Sequence, residues 1–199
     1  YNGDIMSEIQ VNTINEYTSA NGVTIDGVLI KDGEVDGVDV SGITQGITEA
    51  DMWRKSANQT HPANAVISSD WERADTDGAG YFGTGLTESS GVFTFPSTGF
   101  YHIHFHFMFI ATDSAGFGIS LQTTLNNSSY DTAASANEYT PNVANTYASA
   151  SGSFIFDVTD TSTHKFRFNG YVITGGAPTM IGNTASQNSG FTVMRLGDT

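Results

Sequence analysis

An all-β chain in two parts is the fold class this sequence predicts: a short-stranded trimeric β stalk over residues 1–50, then a β-sandwich head over residues 51–199. Three observations predict it. Turn dipeptides punctuate the first part at intervals of a few residues. Short runs of alternating apolar and polar residues, separated by Gly, Asn, Asp and Ser clusters, fill the second. No segment carries convincing helical periodicity.

The first fifty residues hold nine acids against one base, Lys31, so more than half of the chain's net charge of −14 sits in its first quarter. Their apolar residues are mostly β-branched and come singly or in short groups, as at Val11, Ile14, Val23, Ile25, Val28, Val35 and Val38. Between them lie Asn21-Gly22, Asp26-Gly27, Asp32-Gly33, Asp36-Gly37 and Ser41-Gly42. Such dipeptides tolerate positive φ and close tight hairpins. A single strand of this length cannot offset an ordering entropy of ~1–2 kcal/mol per residue. Three copies wound together would hide the Val/Ile seam and leave the acids outside. A disordered acidic linker is the competing reading of the same residues. Ile5 to Gln10 can form one short helix.

In the head, the alternation predicts strands near 52–58, 64–68, 80–87, 91–95, 99–111, 116–125, 146–157, 164–174 and 190–196. The stretch from Thr123 to Ser153, rich in Ser, Thr, Asn and Ala, reads either as long loops or as a strand pair with polar decoration. Composition excludes several classes. There is no cysteine, hence no disulfide and no thiolate chemistry. Charged residues are 14% of the chain, against a usual ~25%. No apolar run approaches the ~20 residues of a membrane span, so no membrane insertion is expected. A net charge of −14 excludes nucleic acid as a partner. No secretory signal is legible, and the start at Tyr1 is consistent with processing or a fragment.

The segment Gly91-Val92-Phe93-Thr94-Phe95-Pro96-Ser97-Thr98-Gly99-Phe100-Tyr101 resembles the globular head of the first complement component and its tumour necrosis factor-like relatives. The shared pattern is Gly-x-Phe, then Pro, then Gly-x-Tyr leading into a long aromatic strand. Ser189-Gly190-Phe191-Thr192-Val193 is similar to the closing strand of that family. The resemblance covers about residues 51–199 and implies a jelly-roll head assembled as a homotrimer. His102, His104 and His106 depart from the family's usual side chains. Val11-Asn12-Thr13-Ile14-Asn15-Glu16-Tyr17 and Asn21 to Val28 resemble segments in fibres of marine bacteriophages and algal viruses. That likeness implies a trimeric virion fibre whose distal head touches the host.

Strand period two sends Tyr101, Ile103, Phe105, Phe107 and Phe109 to one face and His102, His104 and His106 to the other. The resemblance places that second face against neighbouring subunits. There, His-x-His on a three-fold axis can hold a transition metal, or the imidazoles can hydrogen-bond across chains. Asp75 and Asp77, in an Asp-x-Asp-Gly turn, either begin a calcium loop or form a plain Asx-type turn. Tyr130, Asp131, Asn137, Tyr139, Asn142 and Tyr147 combine stackable rings with amide and carboxylate groups. They suit a glycan ligand as well as they suit ordinary loops. Trp53 and Trp71 read as core or interface anchors. No Gly-x-Ser-x-Gly elbow and no phosphate loop is present, so no enzyme is expected.

The expected function is that of a structural virion fibre or spike, assembled in the host cytoplasm and displayed on the virion surface. Its stalk would contact other virion proteins, and its trimeric head would bind a host-surface glycan or protein. A decoration protein with a purely structural role, a glycan-degrading fibre enzyme and a bacterial surface adhesin of the same architecture are the rival expectations.

Overall fold

The computed structural model describes residues 23–25, 28–31, 34–35, 38–39 and 46–199. The chain divides into two units, Tyr1–Gly46 and Ile47–Thr199. The helix expected near Ile5–Gln10 and the Val11–Tyr17 fibre-like segment lie outside the described residues.

In the first unit, β1 (Val23–Ile25), β2 (Val28–Lys31), β3 (Glu34–Val35) and β4 (Val38–Asp39) form an antiparallel meander in sequence order. Val23 pairs Ile30, Ile30 pairs Val35, and Val35 pairs Val38. Each pair of neighbouring strands is separated in sequence by one Asp-Gly dipeptide, the signature of a two-residue hairpin.

The second unit is a two-layer sandwich. Its strands are β5 (Ala50–Lys55), β6 (Gln59–Thr60), β7 (Ala65–Val66), β8 (Trp71–Arg73), β9 (Thr87–Ser89), β10 (Val92–Thr94), β11 (Gly99–Ala111), β12 (Ala115–Thr124), β13 (Asp131–Thr140), β14 (Thr146–Val158), β15 (Lys165–Gly175), β16 (Thr179–Met180) and β17 (Gly190–Gly197). One sheet runs β6-β16-β11-β17-β5-β8, with β14 along the other side of β11. The second runs β13-β12-β15-β10-β9, with β7 against β15. The last strand is therefore internal, between β11 and β5.

Between the sheets lies a cluster of phenylalanines. Phe93, Phe105, Phe107, Phe166, Phe168 and Phe191 are buried. Phe93 meets Phe191 edge-on at 4.6 Å, and Phe109 meets Phe117 at 4.5 Å. Offset and edge-on geometries match the ring quadrupoles and add to the burial free energy. Both tryptophans join this cluster, Trp53 edge-on to Phe93 at 5.4 Å and Trp71 edge-on to the same ring at 5.2 Å. The Pro96 and Gly99 punctuation also holds. Phe95 packs on Tyr101, and Gly99 takes φ +142 with Arg195 and Gly197 where a Cβ would be.

The expected strand at 80–87 is not one. That segment is loop, touching β5 through one bridge, Ala50 to Phe82. Gly83 and Gly85 have positive φ, which breaks the ladder, and Phe82 is exposed. The region 123–153 holds strands rather than long loops, since β13 and most of β14 occupy it, but the two are not a pair: β13 pairs β12 in one sheet and β14 pairs β11 in the other.

Candidate functional site

Two sheet faces are candidates. The first is the outer face of the sheet containing β11. Along that strand Tyr101, Ile103, Phe105, Phe107 and Phe109 are buried, His102 and His106 are half-buried, and His104 is exposed. The predicted phase of the strand is thus observed. His102 lies between Ile155 of β14 and Met194 of β17; His104 lies between Ser153 and Thr192; His106 lies between Ser151 and Gly190. Around this imidazole row Phe100 is 39% exposed, Ile155 56% and Tyr147 62%, unusual values for strand residues of this size. Burial, and then the neighbouring His104, holds the His106 imidazole below its ordinary pKa. Within one chain no three His, Asp or Glu side chains among the described residues converge as a metal site.

Asp75 is engaged elsewhere. Its carboxylate accepts from Arg54 Nη2 at 2.8 Å, beside Glu72 at 2.7 Å on the same nitrogen. Arg54 is itself buried and also donates to Thr76 Oγ1 at 2.9 Å. Asp77 and Gly78 have φ of 55° and 82°, and Ala79 N–H donates to Thr76 O at 2.9 Å. That is a tight turn of the primed type, in which Asp and Gly serve the backbone.

The second face is the outer side of the sheet containing β12. On β12 the core side is Ala115, Phe117, Ile119 and Leu121, and the outer side begins Gly116, Gly118, Ser120. Tyr139 of β13 pairs Gly116, while Asn137 of β13 and Tyr171 of β15 flank Gly118. A Cβ on Gly116 would lie 2.6 Å from the Tyr139 ring, and one on Gly118 2.5 Å from the Tyr171 ring. The glycines thus let both rings lie down across the sheet, and the rings shield backbone that glycine would expose. The Tyr171 hydroxyl donates to Asn137 Oδ1, which fixes the amide's orientation. Further along, Arg167 stacks on Tyr130 at 3.9 Å and donates from Nε to Gln122 Oε1 at 2.8 Å.

The six sequence-selected binding residues therefore separate. Asn137 and Tyr139 share this face, and Tyr130 borders it beneath Arg167. Asp131 points to the opposite side of β13, paired with Thr123. Asn142 is exposed in the loop after β13, and Tyr147 belongs to the histidine face. Tyr171, Gly116, Gly118 and Arg167 were not selected. The available signal was the Gly-x-Gly alternation of β12, which demands large partners on adjacent strands.

No protein-family model matches the chain, and no curated protein matches it. Solved structures do. Eiger TNF from S. frugiperda superposes with a TM-score of 0.56 at 12% identity, covering 77% of this chain and 96% of that one. Murine APRIL, crystallised at pH 5.0, gives 0.54 at 13% identity, covering 74% and 99%. The fold is the tumour necrosis factor jelly roll. The resemblance read from Gly91–Tyr101 and Ser189–Val193 thus points to the observed architecture at an identity where sequence alone is nearly silent.

Proposed function

We propose that this chain is a homotrimeric fibre or spike protein of a virion, with a tumour necrosis factor-like head that binds a host-surface component. One observation carries the reading: the histidine face of the head. A strand that buries five large residues inward presents Phe100 and three imidazoles outward, next to exposed Ile155. Two further copies would cover this largely apolar surface, with the Asp157 carboxylate opposite Phe100 at its end. The antiparallel meander of the first unit, rich in Val and Ile, supports a stalk formed by the same three chains, through which other virion proteins would be met. In this reading the protein sits on the virion surface, after assembly in the host cytoplasm, and does no catalysis. Three heads on one stalk bind together, so avidity exceeds single-site affinity by ~10²–10⁴-fold where geometry permits.

Sedimentation equilibrium tests the assembly. A mass three times that of the chain is expected for the native protein, and Ile155→Asp should return it toward monomer. A folded native monomer at micromolar concentration would refute the trimer. Binding of fluorescently labelled protein to candidate host cells, competed by unlabelled protein, tests the recognition.

A further inference from the structure

The outer face of the second sheet carries cations without acids. The chain carries 21 acids, yet no strand position on this face holds Asp or Glu. Instead, Lys165 and Arg167 project from it at alternate positions of β15. The other four cations of the head are committed: Arg54 to Glu72 and Asp75, Lys55 to Asp70, Arg73 to Asp51, and Arg195 to Asp198. Among the described residues, neither Lys165 nor Arg167 has a carboxylate partner. Gln122 takes the Arg167 Nε–H and Tyr130 supports the guanidinium plane, so its terminal N–H groups stay available in a fixed orientation. A chain at −14 that keeps one face free of acids and leaves two cations on it unneutralised is complementary to an anion there.

We propose that this face binds an acidic oligosaccharide, a chain of sugar rings bearing carboxylates. The proposal rests on the reading of the head as a surface-recognition module. The chemistry is divided along β15. Arg167 and Lys165 would take a carboxylate, the guanidinium by a two-point contact. Tyr171 and Tyr139, laid across Gly118 and Gly116, offer ring faces for the apolar face of a sugar. The amide of Asn137, already oriented by Tyr171, reaches hydroxyls. From Tyr171 to Lys165 the strand rises ~20 Å, the span of a short linear ligand rather than of one ring. The flat ring faces and the oriented amide beside the cations favour a saccharide over an acidic peptide.

Isothermal titration of the native protein with an oligogalacturonate, its fully methyl-esterified form and a polyglutamate peptide tests this. Binding of the free acid is expected, weakened by added salt and about tenfold weaker or worse for the methyl ester. Lys165→Gln with Arg167→Gln should cause a similar loss at an unchanged melting temperature. Tyr139→Ser should weaken the acid without altering its salt dependence. The proposal is overturned if the native protein does not bind the free acid. It is equally overturned if the methyl ester or polyglutamate binds as well, or if the double variant binds normally. Calorimetry counts sites per chain whatever the oligomeric state. Sedimentation of the same samples therefore shows whether the trimer reading fails independently.

Discussion

The Asp51 carboxylate is gripped at two points by Arg73, with Nε donating to Oδ1 at 3.0 Å and Nη2 to Oδ2 at 3.1 Å. The same buried carboxylate accepts from the Trp53 indole at 2.9 Å and from Leu86 N–H at 2.7 Å. It thereby ties β5 to β8 and to the loop that follows. Asp51→Ala would strand all these donors at once. A loss of about 3–5 kcal/mol in urea unfolding is expected, the range for breaking a buried ion pair.

Phe105 and Gly152 face each other across β11 and β14, and a Cβ on Gly152 would lie 2.6 Å from the Phe105 ring. Phe105→Ala should cost about 3–5 kcal/mol by opening a cavity. Gly152→Ala should cost about 1–3 kcal/mol by overpacking. The double variant should recover part of the second loss, because the ring that clashes is gone. A thermodynamic cycle from denaturant melts checks the coupling.

How much was legible depended on how strongly each strand alternates. β11 was readable to its ends at 99 and 111 because every second residue from Tyr101 to Phe109 is large and apolar. β13 was not, because its inward positions are small, Ala134 and Ala136, on an edge strand. β8 was hidden in the acidic run from Asp70 to Asp77, where Glu72 pairs Arg54. The histidine face followed from strand period alone. The tyrosine face did not, since it is assembled by pairing of β12 with β13 and β15, a relationship no single segment carries.

His61 is buried, with Nε2 donating toward Gly118 O at 3.1 Å and Tyr171 O at 3.2 Å, and with Phe109 and Phe117 edge-on to its ring. Its Nδ1 has no partner among the described residues. Burial holds its pKa below the ordinary value, outweighing the two carbonyls that raise it. As pH falls through ~6.5, the unfolded chain takes up this proton before the folded one does. The stability tied to His61 is therefore complete above that pH and lost below it. His61→Met should flatten the fall in urea midpoint between pH 7.5 and pH 5 relative to the native protein.

Lys55 has the same sign in a different window. Its ammonium is buried against Trp71 at 5.3 Å, donates to Ser69 O and lies 3.8 Å from Asp70. Burial lowers its pKa to about 8 despite the attraction of Asp70 and Glu88. Between that pH and the unfolded value of 10.5 the unfolded state holds more protons, so stability should rise with pH across the window. Lys55→Met should remove this rise, as read from guanidinium midpoints at pH 7.5 and 9.5.

The placement of β17 between β11 and β5 governs how the head can be made. β17, the last of the head's strands in chain order, is one that two earlier strands wait for, with Phe191 and Val193 completing the core. Until then β11 and β5 present open ladders, the kind of edge that recruits other chains. Folding of the head is thus dominated by contacts distant in sequence, a slow route. Loss of Gly190–Gly197 would leave a sheet split down its middle, not a head trimmed at its rim.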